Sequence, residues 1–501
     1  MNNIRQRTLS GLGWSGATQI LEEVLRFGFS VILARLLSPR DFGLIGIVLV
    51  FTGFASIFSH MGLGASLIQK RAVSDRHLNS VFWVNVAAGA LLTILFGLTA
   101  PLIARFYKEP LLRLLTATIA LNLILSSLNV VQNALLVRSL NFRTKFWIGS
   151  VSLLVSGIVA IVLAINGAGV WSLVGQSITS TAIQVAVMWR LSSWRPRLSF
   201  DLSAFRELMH FGGNLMASRI VHYWGGNVDT LVIGRLLGSS VLGIYNLADK
   251  LMRLSVNNVT GITTAVMFPA LSKMQDEVES VKRTYLRATR MIALLTFPMM
   301  IGLSILAEPA ILVVYGDKWQ ESIRIVQVLC FSGMAQSVYS TGSWIFLSRG
   351  RTDIIFGWGI YTTLIRVVGV LVGAHWGGIM GVAWAYVLGT YVFICYPIWS
   401  SAGRLVNLGF KQLLRNLEGP FYCAMSMGLL LWISDRWIFG SQVNVIRLVI
   451  QVPLGVLVYG FLIRQFRLEA FVEVQKIVLE IDGQRSRFVR WLVDDKSRLT
   501  T

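Results

Sequence analysis

The amino-acid sequence predicts an all-α polytopic membrane protein of about fourteen transmembrane helices. Of the 501 residues, 54% are hydrophobic and only 14% are charged, whereas a soluble domain carries roughly 25% charged residues. Apolar stretches of helix length recur along the chain, and a helix needs about 20 such residues to cross a bilayer. A water-soluble fold is therefore excluded.

The first apolar stretch follows the basic N-terminal segment directly. It is longer than the apolar region of a signal peptide and has no convincing cleavage site, so we predict that it is the first transmembrane helix. The three cysteines lie inside apolar stretches, where cysteine behaves as a small hydrophobic residue, and we expect neither a disulfide nor a metal site. The predicted spans are 10–35, 41–68, 78–100, 114–137, 146–166, 169–189, 208–233, 239–265, 288–307, 324–347, 354–375, 377–401, 419–434 and 444–463.

The positive charge of the chain indicates its orientation. A net charge of +21 would suggest nucleic acid in a soluble protein, but here Lys and Arg concentrate in alternate connections, on the side that holds both termini. We therefore predict a multi-pass membrane protein with cytoplasmic termini and no nucleic-acid partner. The longest connections, 190–207 and 269–287, are predicted to be cytoplasmic, and the tail 465–501 to be a basic amphipathic segment on the anionic lipid surface.

An internal repeat appears when the sequence is compared with itself at an offset of 200 positions. The two predicted six-helix bundles would then have the same orientation and would face one another across a central cavity. We predict bundles at 1–200 and 201–403 and two further helices at 404–464, before the tail. The repeat pairs Gly13 with Gly213, Ala17 with Ala217, Ile20 with Ile220, and Arg35, Leu36, Leu37 and Gly43 with Arg235, Leu236, Leu237 and Gly243.

Polar residues in the middle of predicted helices are the candidate site. An ionisable group at the centre of a span costs roughly 2.5–3.5 kcal/mol, so such groups require partners or water. In helices one and eight they recur at helical spacing on one face. We predict that they line a hydrated cavity for an anionic headgroup, because Arg suits phosphate oxygens. The predicted substrate-contacting residues are Arg26, Asn214, Arg219, His222, Lys250, Arg253 and Arg366.

Four intramembrane carboxylates are candidates for binding a coupling proton or sodium ion, because burial and nearby cations shift a carboxyl pKa in opposite directions. They are Glu22, Glu23, Asp229 and Asp249. The structural alternative is that the charges neutralise one another, through pairs of Glu22 or Glu23 with Arg26 and of Asp249 with Arg253. No other cofactor is predicted. Trp residues near helix ends, such as Trp319, are predicted to anchor the chain at the membrane interface.

Three segments resemble a known transporter family. They are Val31 to Gly46 (VILARLLSPRDFGLIG), Leu135 to Phe146 (LLVRSLNFRTKF) and Asn227 to Leu251 (NVDTLVIGRLLGSSVLGIYNLADKL). They are similar to the polysaccharide transporter branch of the multidrug, oligosaccharidyl-lipid and polysaccharide exporter superfamily, and to Wzx-type flippases of the colanic acid and exopolysaccharide kind. The resemblance extends through helix fourteen.

The resemblance implies two six-helix bundles that alternate access between the two sides of the membrane. It implies an undecaprenyl-diphosphate-linked oligosaccharide as the substrate, with a polysaccharide polymerase and export machinery as possible partners, and no enzymatic activity. No individual residue role is carried over. The alternatives are a lipid II flippase, a cation-coupled drug antiporter of the same superfamily, and a membrane polymerase or ligase. An antiporter would favour acidic and aromatic residues in the cavity, and a polymerase or ligase would be expected to carry a large outer loop, which the sequence does not contain.

Overall fold

The fold was determined as a computed structural model, which describes residues 21–60, 62–70, 72–139, 141–439 and 442–466. In these ranges the chain is helical with short connections and contains no β-strand. The helices are α1 (residues 21–36 of the described part), α2 (Pro39–His60), α3 (Leu63–Gln69), α4 (Asp75–Tyr107), α5 (Leu112–Ser127), α6 (Val130–Arg138), α7 (Phe142–Ile165), α8 (Trp171–Leu191), α9 (Leu202–Leu236), α10 (Ser239–Lys273), α11 (Val278–Ile305), α12 (Ala307–Val314), α13 (Ser322–Tyr339), α14 (Gly342–Ser348), α15 (Thr352–Leu388), α16 (Tyr396–Arg404), α17 (Phe410–Ser434) and α18 (Asn444–Gln465).

The second to tenth predicted spans and the last two each overlap one helix or a pair of consecutive helices. The second span is divided into α2 and α3 at Gly62, which has a left-handed backbone. The fourth is a pair of helices, α5 and α6, bent by 45°. Predicted spans eleven and twelve are two helical runs of α15, separated by non-helical backbone at Gly377 and Gly378. A π-helical stretch, Gly389–Cys395, joins α15 to α16.

One predicted connection is wrong. Residues 269–287 were expected to form a long loop, but α10 continues to Lys273, with Pro269 inside it, and α11 begins at Val278. A proline within a membrane helix is tolerated where neighbouring groups satisfy the freed carbonyl. The start of the first span and the tail beyond residue 466 lie outside the described residues.

Six of the described helical stretches are long and apolar enough to cross a membrane, or seven if the bent pair of α5 and α6 counts as one span. Helices α9 and α10, which carry most of the predicted polar residues, are not among these stretches, and several of their side chains lie outside the described part of the structure. The all-α membrane fold is confirmed, whereas the count of fourteen spans stays a prediction.

The chain divides into two compact units, and the first contains residues 1–246 and 314–319. Within it α4 packs on α5, α7 packs on α8, and α9 lies against α2, α3 and α4. The tightest crossing in this unit brings α2 and the start of α10 together. A Cβ atom at Gly43 would overlap the carbonyl of Ser239, and one at Gly243 would overlap the carbonyl of Pro39.

This crossing is reciprocal, since each glycine lies against the other's backbone nitrogen and against the residue four positions before the other. Gly43 and Gly243 are partners in the 200-residue repeat, and so are Pro39 and Ser239. Such reciprocity is what a two-fold relation between the two predicted repeats would produce.

The second unit contains residues 247–313 and 320–501. Helix α11 is its centre and packs against α13 and α17. Buried polar groups also join its helices, because the Tyr285 and Thr341 hydroxyls lie 3.0 Å apart and the Trp344 indole donates to the Thr264 hydroxyl at 3.0 Å. Close contact between Gly373 and Gly381 allows α15 to fold back on itself beyond the break.

Candidate substrate-binding site

Helix α1 presents an ion pair on its predicted polar face. The Arg26 guanidinium donates to a Glu22 carboxylate oxygen at 3.4 Å, and the side chain of Arg26 is 62% exposed. Glu22 itself lies against bare backbone of α7, because a Cβ atom at Gly149 would overlap its carboxylate. Glu23 is half-buried. The hydrogen bond is long and Arg26 is exposed, so this cation is accessible for a further ligand.

Helix α9 carries Asn214, Arg219 and His222, whose side chains lie outside the described part of the structure. Asp229, two turns further along, is described and is buried. The Tyr245 hydroxyl donates to Asp229 at 3.3 Å. The structure therefore holds this carboxylate in the interior of the first unit, next to a tyrosine on α10.

Helix α10 contains the second predicted pair. The Arg253 guanidinium donates to the Asp249 carboxylate at 2.6 Å, and both side chains are half-buried. Lys250, between them in sequence, is exposed. The short charge-assisted bond makes Asp249 and Arg253 a structural pair, and Lys250 is the more accessible cation of this helix.

Arg366 on α15 is held by aromatic residues. Its guanidinium lies 5.2 Å from the centre of the Tyr386 ring, a cation–π contact, and donates to the Tyr339 hydroxyl at 3.4 Å. A narrow pocket adjoins it, and the π-helical stretch forms one wall. This pocket is lined by Ile365, Arg366, Gly369, Val370, Ala385, Tyr386, Gly389, Thr390 and Ile394. π-Helical turns frequently occur at functional sites.

The eleven predicted site residues are divided between the two units. Seven belong to the first unit, namely Glu22, Glu23, Arg26, Asn214, Arg219, His222 and Asp229, and four belong to the second, namely Asp249, Lys250, Arg253 and Arg366. Among the side chains that the structure describes, Glu22 with Arg26 on α1 and Asp249 with Arg253 on α10 are joined directly. That they line one shared cavity stays a prediction.

Sequence reasoning missed an ionic cluster at the ends of three helices of the first unit. Glu109, between α4 and α5, accepts hydrogen bonds from the Arg40 guanidinium at 2.7 Å and from the Ser239 hydroxyl at 2.6 Å. Burial alone would raise the pKa of Glu109, but the bonds from Arg40 and Ser239 outweigh it and lower that pKa below its ordinary value of 4.5. The partners lie 69 and 130 positions from Glu109, so no local pattern could have revealed them.

A second missed feature is the segment Val314–Trp319, which packs on the end of α1. Trp319 is fully buried, so its prediction as an interface anchor is wrong. Its indole N–H donates to the Ala34 carbonyl at 2.9 Å, and Lys318 donates to the carbonyls of Arg35 and Leu36 at 3.1 and 3.2 Å. These carbonyls end a helix and have no partners within it.

A third missed feature lies in the second unit. Arg447 on α18 makes a two-pronged hydrogen bond to Asp435 at 3.0 and 2.8 Å and also donates to Asn444 at 3.0 Å and to Glu308 at 3.4 Å. Gln451 donates to the same Asp435 at 2.8 Å. The network fastens the two last helices to α12. Among the residues that the structure describes, no group of three or more His, Cys, Asp or Glu side chains could hold a metal ion.

The fold defines the class of protein. The chain resembles the structure titled "Lipid II flippase MurJ, inward closed conformation" with a TM-score of 0.74, at 16% identity over 91% of this chain and 98% of the other. It also resembles an inward-facing multidrug resistance MATE family transporter of the MOP superfamily with a TM-score of 0.60, at 14% identity over 77% of this chain and 95% of the other. The protein is therefore a multi-pass membrane protein with the fold of this superfamily.

The family follows from the sequence comparison. Residues 32–324 match the model of the family described as polysaccharide biosynthesis protein, and the chain belongs to that family. It is 29% identical to the teichuronic acid biosynthesis protein TuaB of Bacillus subtilis, over 92% of this chain and 96% of TuaB. It is 27% identical to the lipopolysaccharide biosynthesis protein WzxC of Escherichia coli, over 84% and 86%, and 28% identical to the succinoglycan biosynthesis transport protein ExoT of Rhizobium meliloti, over 90% and 92%.

Proposed function

We propose that the protein is a flippase that moves undecaprenyl-diphosphate-linked oligosaccharides across the bacterial inner membrane for polysaccharide biosynthesis. The observation that carries this proposal is that nearly the whole chain aligns with nearly the whole of relatives named for making or transporting polysaccharides. The family and the fold are those of transporters, so the protein is not proposed to be an enzyme.

The chemistry of the intramembrane cations supports a diphosphate-bearing substrate. A diphosphate in a low-dielectric environment needs charge-assisted donors, and Arg presents a planar fork that fits phosphate oxygens. Arg26 and Lys250 are the exposed cations of α1 and α10, while Arg253 is paired with Asp249. We assign the first contact with the headgroup to Arg26 and Lys250.

The remaining cations have a later role in this proposal. Arg366 exchanges the Tyr386 ring face and the Tyr339 hydroxyl for phosphate oxygens, and Arg219 and His222, two of the residues predicted from the sequence, contact the headgroup in the same step. The sugar and diphosphate cross along these residues while the polyprenyl chain stays in lipid. Glu22 and Asp249, each bonded to an arginine, are the carboxylates that a proton or sodium ion would reach once substrate withdraws that arginine.

The test is replacement of Arg219 and Arg366 together by Ala in cells that depend on this chain for polymer export. We expect polymer export to be lost and lipid-linked repeat units to accumulate, at an unchanged amount of protein in the membrane. The matched control is Arg113→Ala, which removes an exposed cation in the first turn of α5. Normal export by the double variant would contradict the proposal.

A second experiment separates substrate classes. The chain is expressed in cells depleted of their lipid II flippase and, separately, in cells that lack their exopolysaccharide flippase. We expect rescue of polymer export only in the second strain. Rescue of growth in the first strain would instead assign lipid II. Accumulated lipid-linked intermediates that disappear only when a polymerase is also present would identify the polymerase as a partner.

A further inference from the structure

We propose that the segment Val314–Trp319 is a latch that holds the end of helix α1 and has to be released in each transport cycle. The proposal rests on the transport function proposed above. It begins from the path of the chain. These six residues belong to the first unit, whereas the residues before Val314 and after Trp319 belong to the second.

The connections that join this segment to the neighbouring helices are short. Val314 is the last residue of α12, and α13 begins at Ser322, three residues after Trp319. Gly316, with a φ of +90°, allows the sharp turn that leads into a 3₁₀ turn ending at Trp319. Any movement that carries α12 and α13 away from α1 must therefore pull this segment off, because no flexible linker can lengthen.

The hydrogen bonds that release would break all lie at the C-terminal end of α1. The segment supplies donors to the terminal carbonyls of Ala34, Arg35 and Leu36, and the Lys318 charge lies at the negative end of the helix dipole. In return the Arg35 guanidinium donates to the Val314 carbonyl at 3.0 Å.

Because the Trp319 ring is buried, we expect the segment to be either fully bound to α1 or fully released from it. The Trp319 ring packs edge-on against Phe42 at 5.3 Å between ring centres. An indole ring is either buried with its N–H bonded or withdrawn into solvent, because an intermediate position would lose both the packing and the hydrogen bond. Partial release is therefore disfavoured, as a latch requires.

The first test uses a buried reporter next to the latch. Ala34 is fully buried and its carbonyl accepts the Trp319 indole N–H, so we expect the thiol of Ala34→Cys to react faster with a maleimide when the segment leaves. The protein is purified into nanodiscs, which expose both membrane faces, in a background without Cys330, Cys395 and Cys423. We expect Lys318→Ala to increase the labelling rate about tenfold, because the loss of one charge-assisted hydrogen bond raises the population of the released state by about that factor.

The matched controls are chosen in the same unit. Ala120→Cys, equally buried between α4 and α5, should label at one rate with and without Lys318→Ala. Lys318→Arg, which keeps a donor and its charge, should restore slow labelling at position 34. Because this readout does not involve a substrate, it stands even if the chain carries another cargo. If Ala34→Cys is labelled at the same rate with and without Lys318→Ala, the latch proposal is wrong.

The second test asks whether release is required. Leu36→Cys and Lys318→Cys are joined by a short reducible cross-linker in cells, and polymer export is measured before and after reduction. We expect export to stop on cross-linking and to return on reduction. The control pair is Asn122→Cys with Ser177→Cys, whose native side chains are 2.9 Å apart on α5 and α8 and should tolerate the linker. Undiminished export by the linked 36–318 pair would mean that the segment is a permanent anchor.

Discussion

Loss of Arg447 should destabilise the protein more than the loss of any exposed cation. Its side chain is 8% exposed and that of Asp435 is 19% exposed, and two hydrogen bonds join them. Removing one partner of a buried ion pair leaves the other charge uncompensated and costs about 3–5 kcal/mol. Asp435 keeps a bond from Gln451 and some contact with solvent, so we expect the lower end for Arg447→Ala, about 3 kcal/mol.

A double-mutant cycle isolates the pair. Arg447→Met together with Asp435→Leu removes both charges and fills the space with apolar groups, which is often neutral when the replacements pack well. The double variant should therefore be more stable than either single variant. The measurement is the thermal unfolding midpoint of the purified protein in detergent, ranked over the four sequences.

The reasoning fails if the two substitutions are additive, so that the double variant is the least stable of the four. Export supplies a second check. The pair lies in the two last helices, outside the repeat, so export should fall only in proportion to the amount of folded protein. A loss of export at a normal protein level would assign Arg447 a role in transport.

Three further predictions follow from the first unit and its helix ends. Gly243→Val should lower the free energy of unfolding by about 3 kcal/mol, the upper end for overpacking, because its side chain would overlap the Pro39 carbonyl. The control is Gly261→Val on the same helix, where an added Cβ atom meets no atom within 4 Å. The measurement is the thermal unfolding midpoint of each variant. Arg26→Ala should lower export about tenfold, the effect of one charge-assisted bond, and Arg26→Lys should lower it less, while equal export by all three proteins would exclude contact with substrate. Because the pKa of Glu109 is lowered on folding, its contribution to stability is complete above the ordinary value of 4.5 and disappears as pH falls through the lowered value. Wild type should therefore exceed Glu109→Gln in thermal midpoint at pH 7, and this advantage should shrink as the pH is lowered below 4.5. A gap that does not change with pH would contradict this.

The spacing of residues in the sequence predicted the contacts that form within a single helix. Glu22 with Arg26, and Asp249 with Arg253, lie four residues apart, so the alternative in which these charges pair on one helix face could be read from spacing alone, and both pairs are present. The glycines at 43 and 243 were visible as repeat partners. Their contact could not be predicted, because the 200-residue offset shows that the two positions are equivalent but not that they lie close together.

Contacts distant in sequence could not be predicted. Trp319 is aromatic and follows a helix end, which is the composition of an interface anchor, and only the position of α1, 285 residues earlier in the chain, makes it a buried hydrogen-bond donor. Glu109 likewise looked like an ordinary charge in a short connection. Pro269 was placed in a predicted connection, but the structure continues α10 through it to Lys273.

The reciprocal glycine crossing limits substitution at two positions separately. A side chain at Gly43 or at Gly243 would meet main-chain atoms of the other helix and not a side chain that could become smaller in compensation. A second substitution therefore cannot restore the space, and only a shift of α2 against α10 would accommodate a larger residue at either position.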